Sequence, residues 1–84
     1  MYEVIYDDEP IDFLNKLPFD LRKRIFEKVK LTKINPFHFF DRLEGRKDYK
    51  LRVGDYRVIA DIDRNLKRIE VTIVGHRKNV YKKC

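Results

Sequence analysis

Residues 49–62, YKLRVGDYRVIADI, form two runs of alternating apolar and polar side chains on either side of Gly54-Asp55. A period of two is the mark of a strand that buries one face. Glycine at the first of two central positions suits a type II′ hairpin, whose twist matches the strands it joins. With that dipeptide as the whole loop, Val53 stands opposite Tyr56, Arg52 opposite Arg57, Leu51 opposite Val58 and Lys50 opposite Ile59. The register gathers Leu51, Val53, Tyr56, Val58, Ala60 and Ile62 on one face. Lys50, Arg52 and Arg57 fall on the other.

The remaining sequence must cover that apolar face. Residues 68–74 alternate as a third strand, reached through a turn near Asp63-Arg64-Asn65-Leu66. Residues 2–6 alternate as well, with Tyr2, Val4 and Tyr6 on one side and Glu3 and Ile5 on the other. Asp7, Asp8 and Glu9 with Pro10 open a short helix, acids lying near the positive end of its dipole. Its stripe is Pro10, Ile11, Phe13, Leu14 and Leu17, and Pro18 stops it. Asp20 is suited to cap a longer helix bearing Leu21, Ile25 and Val29 at intervals of four. The segment TKINPFHFFDRLEGRKD keeps no period and reads as a long loop anchored by Phe37, Phe39 and Phe40. No Cys or second His lies at metal-ligand spacing from His38. These elements predict one α+β domain over residues 1–84, an N-terminal strand and a helix hairpin packed on a mostly antiparallel, twisted sheet.

Composition narrows the class of partner. Hydrophobic residues make up 43% of the chain, with five Tyr and six Phe, which supplies a core and argues against disorder. The 20 Lys and Arg against 14 Asp and Glu leave a net charge of +6, which favours a polyanionic partner. The single cysteine, Cys84, permits no internal disulfide and fits a reducing compartment. The acidic start MYEVIYDDEP is unlike a secretory signal, and no apolar run approaches the ~20 residues of a membrane span. A cytoplasmic location without a membrane partner is expected.

Two arginines opposed across a ladder cost stability, ~0.2 to 1 kcal/mol, unless something separates their charges. They either splay into solvent, or find Asp48, Asp55, Asp61 or Glu70, or hold an anion between them. A phosphate fits the last arrangement, because guanidinium offers a planar fork of donors and lysine adds a compact charge. A pentacoordinate phosphorane carries more negative charge than a diester, so such a cluster favours the transition state over the substrate. Gly75 ends the third alternating run and permits a bend that turns His76 and Arg77 toward the cationic face. A helical turn after it sets Arg77 and Tyr81 on one side.

These residues together resemble a known family. MYEVIY, LNKLP, the LEG that leads into DYKLRVGDYRVIADID, and IEVTIVGHRKNVY are similar to the RelE toxins of the RelE/ParE superfamily over essentially the whole chain. YKLRVGDYRVIADI and VGHRKNVY are the most specific parts. The resemblance implies a microbial RNase-like fold and an mRNA interferase that enters the ribosomal 30S A site, cuts the messenger without a metal or small-molecule cofactor, and is inhibited by a cognate RelB-like antitoxin. It implies catalytic roles for Lys50, Arg57, Arg77 and Tyr81, and RNA or phosphate binding by Arg52, His76 and Lys78. The expected reaction is attack by a 2′-oxygen on its own 3′ phosphodiester, giving a 2′,3′-cyclic phosphate and a free 5′-hydroxyl.

Some RelE toxins carry a second lysine two places before the one matched by Lys50, where this chain has Asp48. The general base is accordingly open among Asp48, His76 and an uncharged Lys50. Two other classes share part of the pattern. A ParE-type toxin poisons DNA gyrase on the same fold but usually lacks the full basic and aromatic set. A noncatalytic RNA- or ribosome-binding domain would keep the charge and tolerate loss of a single arginine.

Overall fold

A computed structural model describes residues 1–82; Cys84 and Lys83 lie outside the described residues. In chain order the elements are β1 (Glu3–Tyr6), α1 (Asp8–Asn15), α2 (Phe19–Leu31), a short α3 (Pro36–Phe39), β2 (Asp41–Arg42), β3 (Tyr49–Val53), β4 (Tyr56–Asp63), β5 (Arg68–His76) and a 3-10 turn (Val80–Lys82). The sheet order is β1-β5-β4-β3-β2. β1 runs parallel to β5, and every other pairing is antiparallel.

The β3–β4 hairpin has the register its sequence predicts, with Val53 opposite Tyr56 and Arg52 opposite Arg57. Gly54 adopts φ 57°, the left-handed value that the first central position of a type II′ turn requires, and Asp55 stays at negative φ. Leu51, Val53, Val58 and Ala60 are buried on the helix side, where α1 lies against β5 and α2 against β3. Leu14, Ile25 and Val29 complete this core from the helices, and Tyr2, Val4 and Tyr6 pack on it from β1. Burial of Tyr6 pushes its phenol up from 10.0 to about 12, because the charged form would lose its water.

Local sequence accounts for most of these boundaries. α2 begins at Phe19 rather than behind Asp20: Pro18 is its N-cap, and the Pro18 carbonyl accepts the Arg22 N–H at 3.0 Å. Asp20 therefore sits in the first turn, where its charge still complements the dipole. The β4–β5 turn is closed by the Asp63 carboxylate, which accepts the Asn65 and Leu66 N–H groups at 2.8 and 2.9 Å. Residues 32–48 are more ordered than a loop, since Pro36 starts a helical turn and Asp41–Arg42 adds an edge strand to β3. Phe40 is buried there, while His38 is exposed with its ring edge-on to Phe39 at 5.0 Å.

A bulge in β5 governs the other face of the sheet. Ile59 pairs with Ile73 and Ala60 with Val71, so Thr72 is the extra residue, and its hydroxyl donates to the Ile59 carbonyl at 3.3 Å. The bulge reverses the phase of β5, so that Ile69, Val71 and Val74 all face the helices. On the far face Ile59 and Ile73 form a small second core with Leu43 and Val80. Among the described residues, no helix is long and apolar enough to cross a membrane.

Candidate functional site

The face away from the helices is organised in rows across the strands. Lys50 stands between Asp41 of β2 and Ile59 of β4. The next row toward the hairpin tip is Arg52, Arg57 and Gly75. Opposed residues on antiparallel strands have Cα atoms about 4.5 to 5.5 Å apart, so the two arginines are close neighbours. The structure thus brings Lys50, Arg52 and Arg57 onto one face.

The contacts of these cations decide whether the charge is already neutralised. Arg57 donates through Nη1 to the Gly54 and Tyr56 carbonyls at 2.8 and 2.9 Å. Those bonds aim the guanidinium without cancelling its charge, and Nε and Nη2 have no partner among the described residues. Neither Lys50 nor Arg52 has a described carboxylate within 4.0 Å. Arg77 lies 3.7 Å from the Asp55 carboxylate in an exposed pair, which binds weakly in water. Its N–H also donates to the Asp55 carbonyl at 2.8 Å, holding Arg77 beside the hairpin tip.

The other expected site residues are distributed differently. The bend predicted at Gly75 does not occur. β5 continues through His76, and Gly75 is a strand residue opposite Arg57, where the place its Cβ would take is 3.3 Å from Val80 Cβ. Because the Thr72 bulge reverses the phase, His76 pairs with Tyr56 and meets its ring edge-on at 5.5 Å, on the face opposite Arg57. His76 Nδ1 accepts the Lys78 N–H at 3.2 Å, and the Lys78 side chain is exposed. Tyr81, 47% exposed, projects from the 3-10 turn whose Val80 is buried over the second core. Asp48 is 8% exposed and held by both ends of Arg46, at 2.9 Å from Nε and 2.6 Å from Nη2.

Two further groups complete this surface. Asp41 sits beside Lys50 on a strand that reads as loop, because two residues are too short a run to show alternation. Arg24 reaches from α2 to the hairpin tip, with Nη1 3.3 Å from where a Cβ of Gly54 would stand. Toward the opposite end the same face is mixed in charge. Glu70 lies opposite Asp61, and its carboxyl is pushed up chiefly by a side-chain hydrogen bond with Asp7, then by the Asp7 charge. Burial and Asp61 add to the shift, and Arg68 opposes it. The far face is therefore cationic at the hairpin tip, while at its base Asp61, Asp63 and Glu70 are matched by Lys47, Arg64 and Arg68. Among the described residues, no group of three or more His, Cys, Asp or Glu side chains is placed to hold a metal ion.

A small antiparallel sheet with one parallel N-terminal strand, two helices on one face and basic side chains on the other is the fold of the RelE toxins. The archaeal RelE-RelB complex from Pyrococcus horikoshii contains a chain 28% identical to this one, with a TM-score of 0.79 over 90% of this chain and 94% of that one. The toxin-antitoxin complex RelBE2 of Mycobacterium tuberculosis gives a TM-score of 0.80 at 24% identity, covering 90% of this chain and 98% of its counterpart. The isolated E. coli RelE toxin gives 0.77 at 20% identity, covering 90% and 84%. No family model and no curated protein matches the sequence itself.

Proposed function

We propose that the protein is the toxin of a type II toxin-antitoxin pair, an endoribonuclease that cuts messenger RNA in the ribosomal A site without a metal and so stops translation in the cytoplasm. The observation that carries this reading is the Arg52–Arg57 row, two guanidinium groups opposed across a ladder with Lys50 on the same face and no described carboxylate between them. The resemblance of YKLRVGDYRVIADI and VGHRKNVY to RelE toxins adds the substrate class. RelE chains have been crystallised in complexes with RelB, and an antitoxin of that kind is the proposed partner.

In the reaction, the 2′-oxygen forms a bond to phosphorus while the bond to the 5′-oxygen breaks. Arg57 and Arg52 hold the equatorial oxygens of the phosphorane, where charge accumulates. Arg77 contributes from the hairpin tip, and Tyr81 stacks on a base or protonates the leaving 5′-oxygen. The 2′ proton passes to Asp41, which stands on the same face across the ladder from Lys50, and Lys50 adds its charge to the clamp on the phosphate. Asp48 takes no part in this reading, because Arg46 occupies both its oxygens. His76 takes none either, since it stands with Tyr56 on the other side of the sheet.

Toeprinting on translating ribosomes in the presence of a chelator tests the reading. Arg57→Ala and Arg52→Ala are expected to lower cleavage about 100-fold each, the scale of losing one preorganised donor, with unchanged far-UV circular dichroism. Near-normal cutting by both variants removes the pair from the site. Cutting that stops on chelation overturns the metal-independent chemistry.

A further inference from the structure

A second basic surface adjoins the first. A cleft of about 780 Å³ lies between α2 and the part of β3 that β2 leaves uncovered. It is lined by Arg24, Lys28, His38, Phe39 and Arg52. β2 pairs only with Tyr49 and Lys50, so the strand edge beyond them is open to the cleft. Arg52 belongs to both surfaces: it opposes Arg57 on the sheet and forms a wall of the cleft. Gly54 joins them a second time. Its carbonyl accepts from Arg57 Nη1, and its missing side chain leaves room for the Arg24 guanidinium.

Charge in the cleft is unevenly matched. Arg24, Lys28 and Arg52 have no described carboxylate within 4.0 Å. Of the two acids on the wall, Glu27 is 4.0 Å from Lys23 on the same helix, and Asp41 stands across the ladder from Lys50. Lys28 Nζ lies 5.8 Å from the centre of the Phe39 ring, and the exposed His38 ring meets Phe39 edge-on. Unpaired cations along a groove with accessible rings are what a single-stranded nucleic acid needs, phosphates on the charges and bases on the rings. At the base of the sheet face Asp61, Asp63 and Glu70 offset Lys47, Arg64 and Arg68, so no net positive charge draws a polyanion that way. A strand held at Arg57 leaves past the hairpin tip instead.

We infer that this cleft is a second RNA-binding site, which receives the single strand continuing from the phosphate held at Arg52 and Arg57. The inference rests on the endoribonuclease reading and extends it: Arg24 and Lys28 bind phosphates flanking the scissile one, and Phe39 and His38 carry a base. They contribute to affinity and positioning and touch no reacting atom.

Fluorescence anisotropy with uncleavable 2′-deoxy oligonucleotides, a trinucleotide and a longer single strand, tests it. With Arg24→Ala/Lys28→Ala, affinity for the longer strand falls at least tenfold and the salt slope drops by about 1.4, two single-strand contacts' worth, while trinucleotide affinity is unchanged. Arg57→Ala weakens both ligands. Unchanged binding of the longer strand by the double variant overturns the cleft assignment and leaves the endoribonuclease reading standing. So does an oligoglutamate peptide that binds in its place with the same sensitivity to Arg24 and Lys28, which makes the cleft a site for an acidic protein. Failure of the unaltered protein to cut messenger on translating ribosomes refutes the endoribonuclease reading instead. Arg24→Glu, with circular dichroism, separates lost contacts from lost fold.

Discussion

Arg57 shows how a charge is kept available on a folded surface. Bonds to two carbonyls fix its fork, and carbonyls orient a guanidinium without the neutralisation a carboxylate would bring. Arg46 is the contrast, since Asp48 consumes its charge at a site 8% exposed. Nothing in the spacing of Arg46 and Asp48 distinguishes that pairing from an exposed one, which is why Asp48 reads from sequence as a free acid. Tyr6 provides a pH dependence at the same scale. Its folded phenol is raised above the ordinary 10.0 to about 12, so neutral Tyr6 supports the fold fully below pH 10. That support is lost as pH rises through about 12, because the unfolded chain gives up the proton first. Thermal melts from pH 9 to 12 are expected to show a declining midpoint, and Tyr6→Phe should flatten that part of the decline; an identical slope in the variant refutes the assignment.

At the scale of the element, two irregular positions decide what the sheet presents. The register of β3 and β4 was legible because one face is buried and the turn has a fixed length, so both constraints converge on one pairing. The helix stripes were legible for the same reason: Leu14, Ile25 and Val29 recur at helical spacing and are all buried. The Thr72 bulge was not, because VTIV alternates no differently whether or not a residue is extruded, and only the partner strand reveals the change of phase. His76 changes face as a result. Gly75 is the second position. It is a strand glycine kept bare by the approach of Val80, whose Cβ and Cα would lie 3.3 and 3.4 Å from an added Cβ. Gly75→Ala is expected to lift the 3-10 turn from Ile59 and Ile73 at a cost of about 1–3 kcal/mol. Urea unfolding measures the loss, and heteronuclear spectra should show the largest shifts at Val80 and Tyr81; an unperturbed turn sinks the packing argument.

For the whole molecule, the sheet carries the main apolar core on its helix side and the row of Arg52 and Arg57 on the other, beside the small second core of Leu43, Ile59, Ile73 and Val80. The order of strands carries a different consequence. β5 sits between β1 and β4, and it is the only described strand that touches β1. A fragment of residues 1–67 should therefore lack a cooperative melt, both hairpin and helices having lost the strand they share; a sharp transition in that fragment would contradict it.

During synthesis β5, which joins β1 to the rest of the sheet, emerges after every other described strand. Until it does, the first strand has nowhere to dock and the row of Arg52 and Arg57 lacks its third member, Gly75. The sheet, and with it the charged surface, closes only once the polypeptide has been extruded through that last strand.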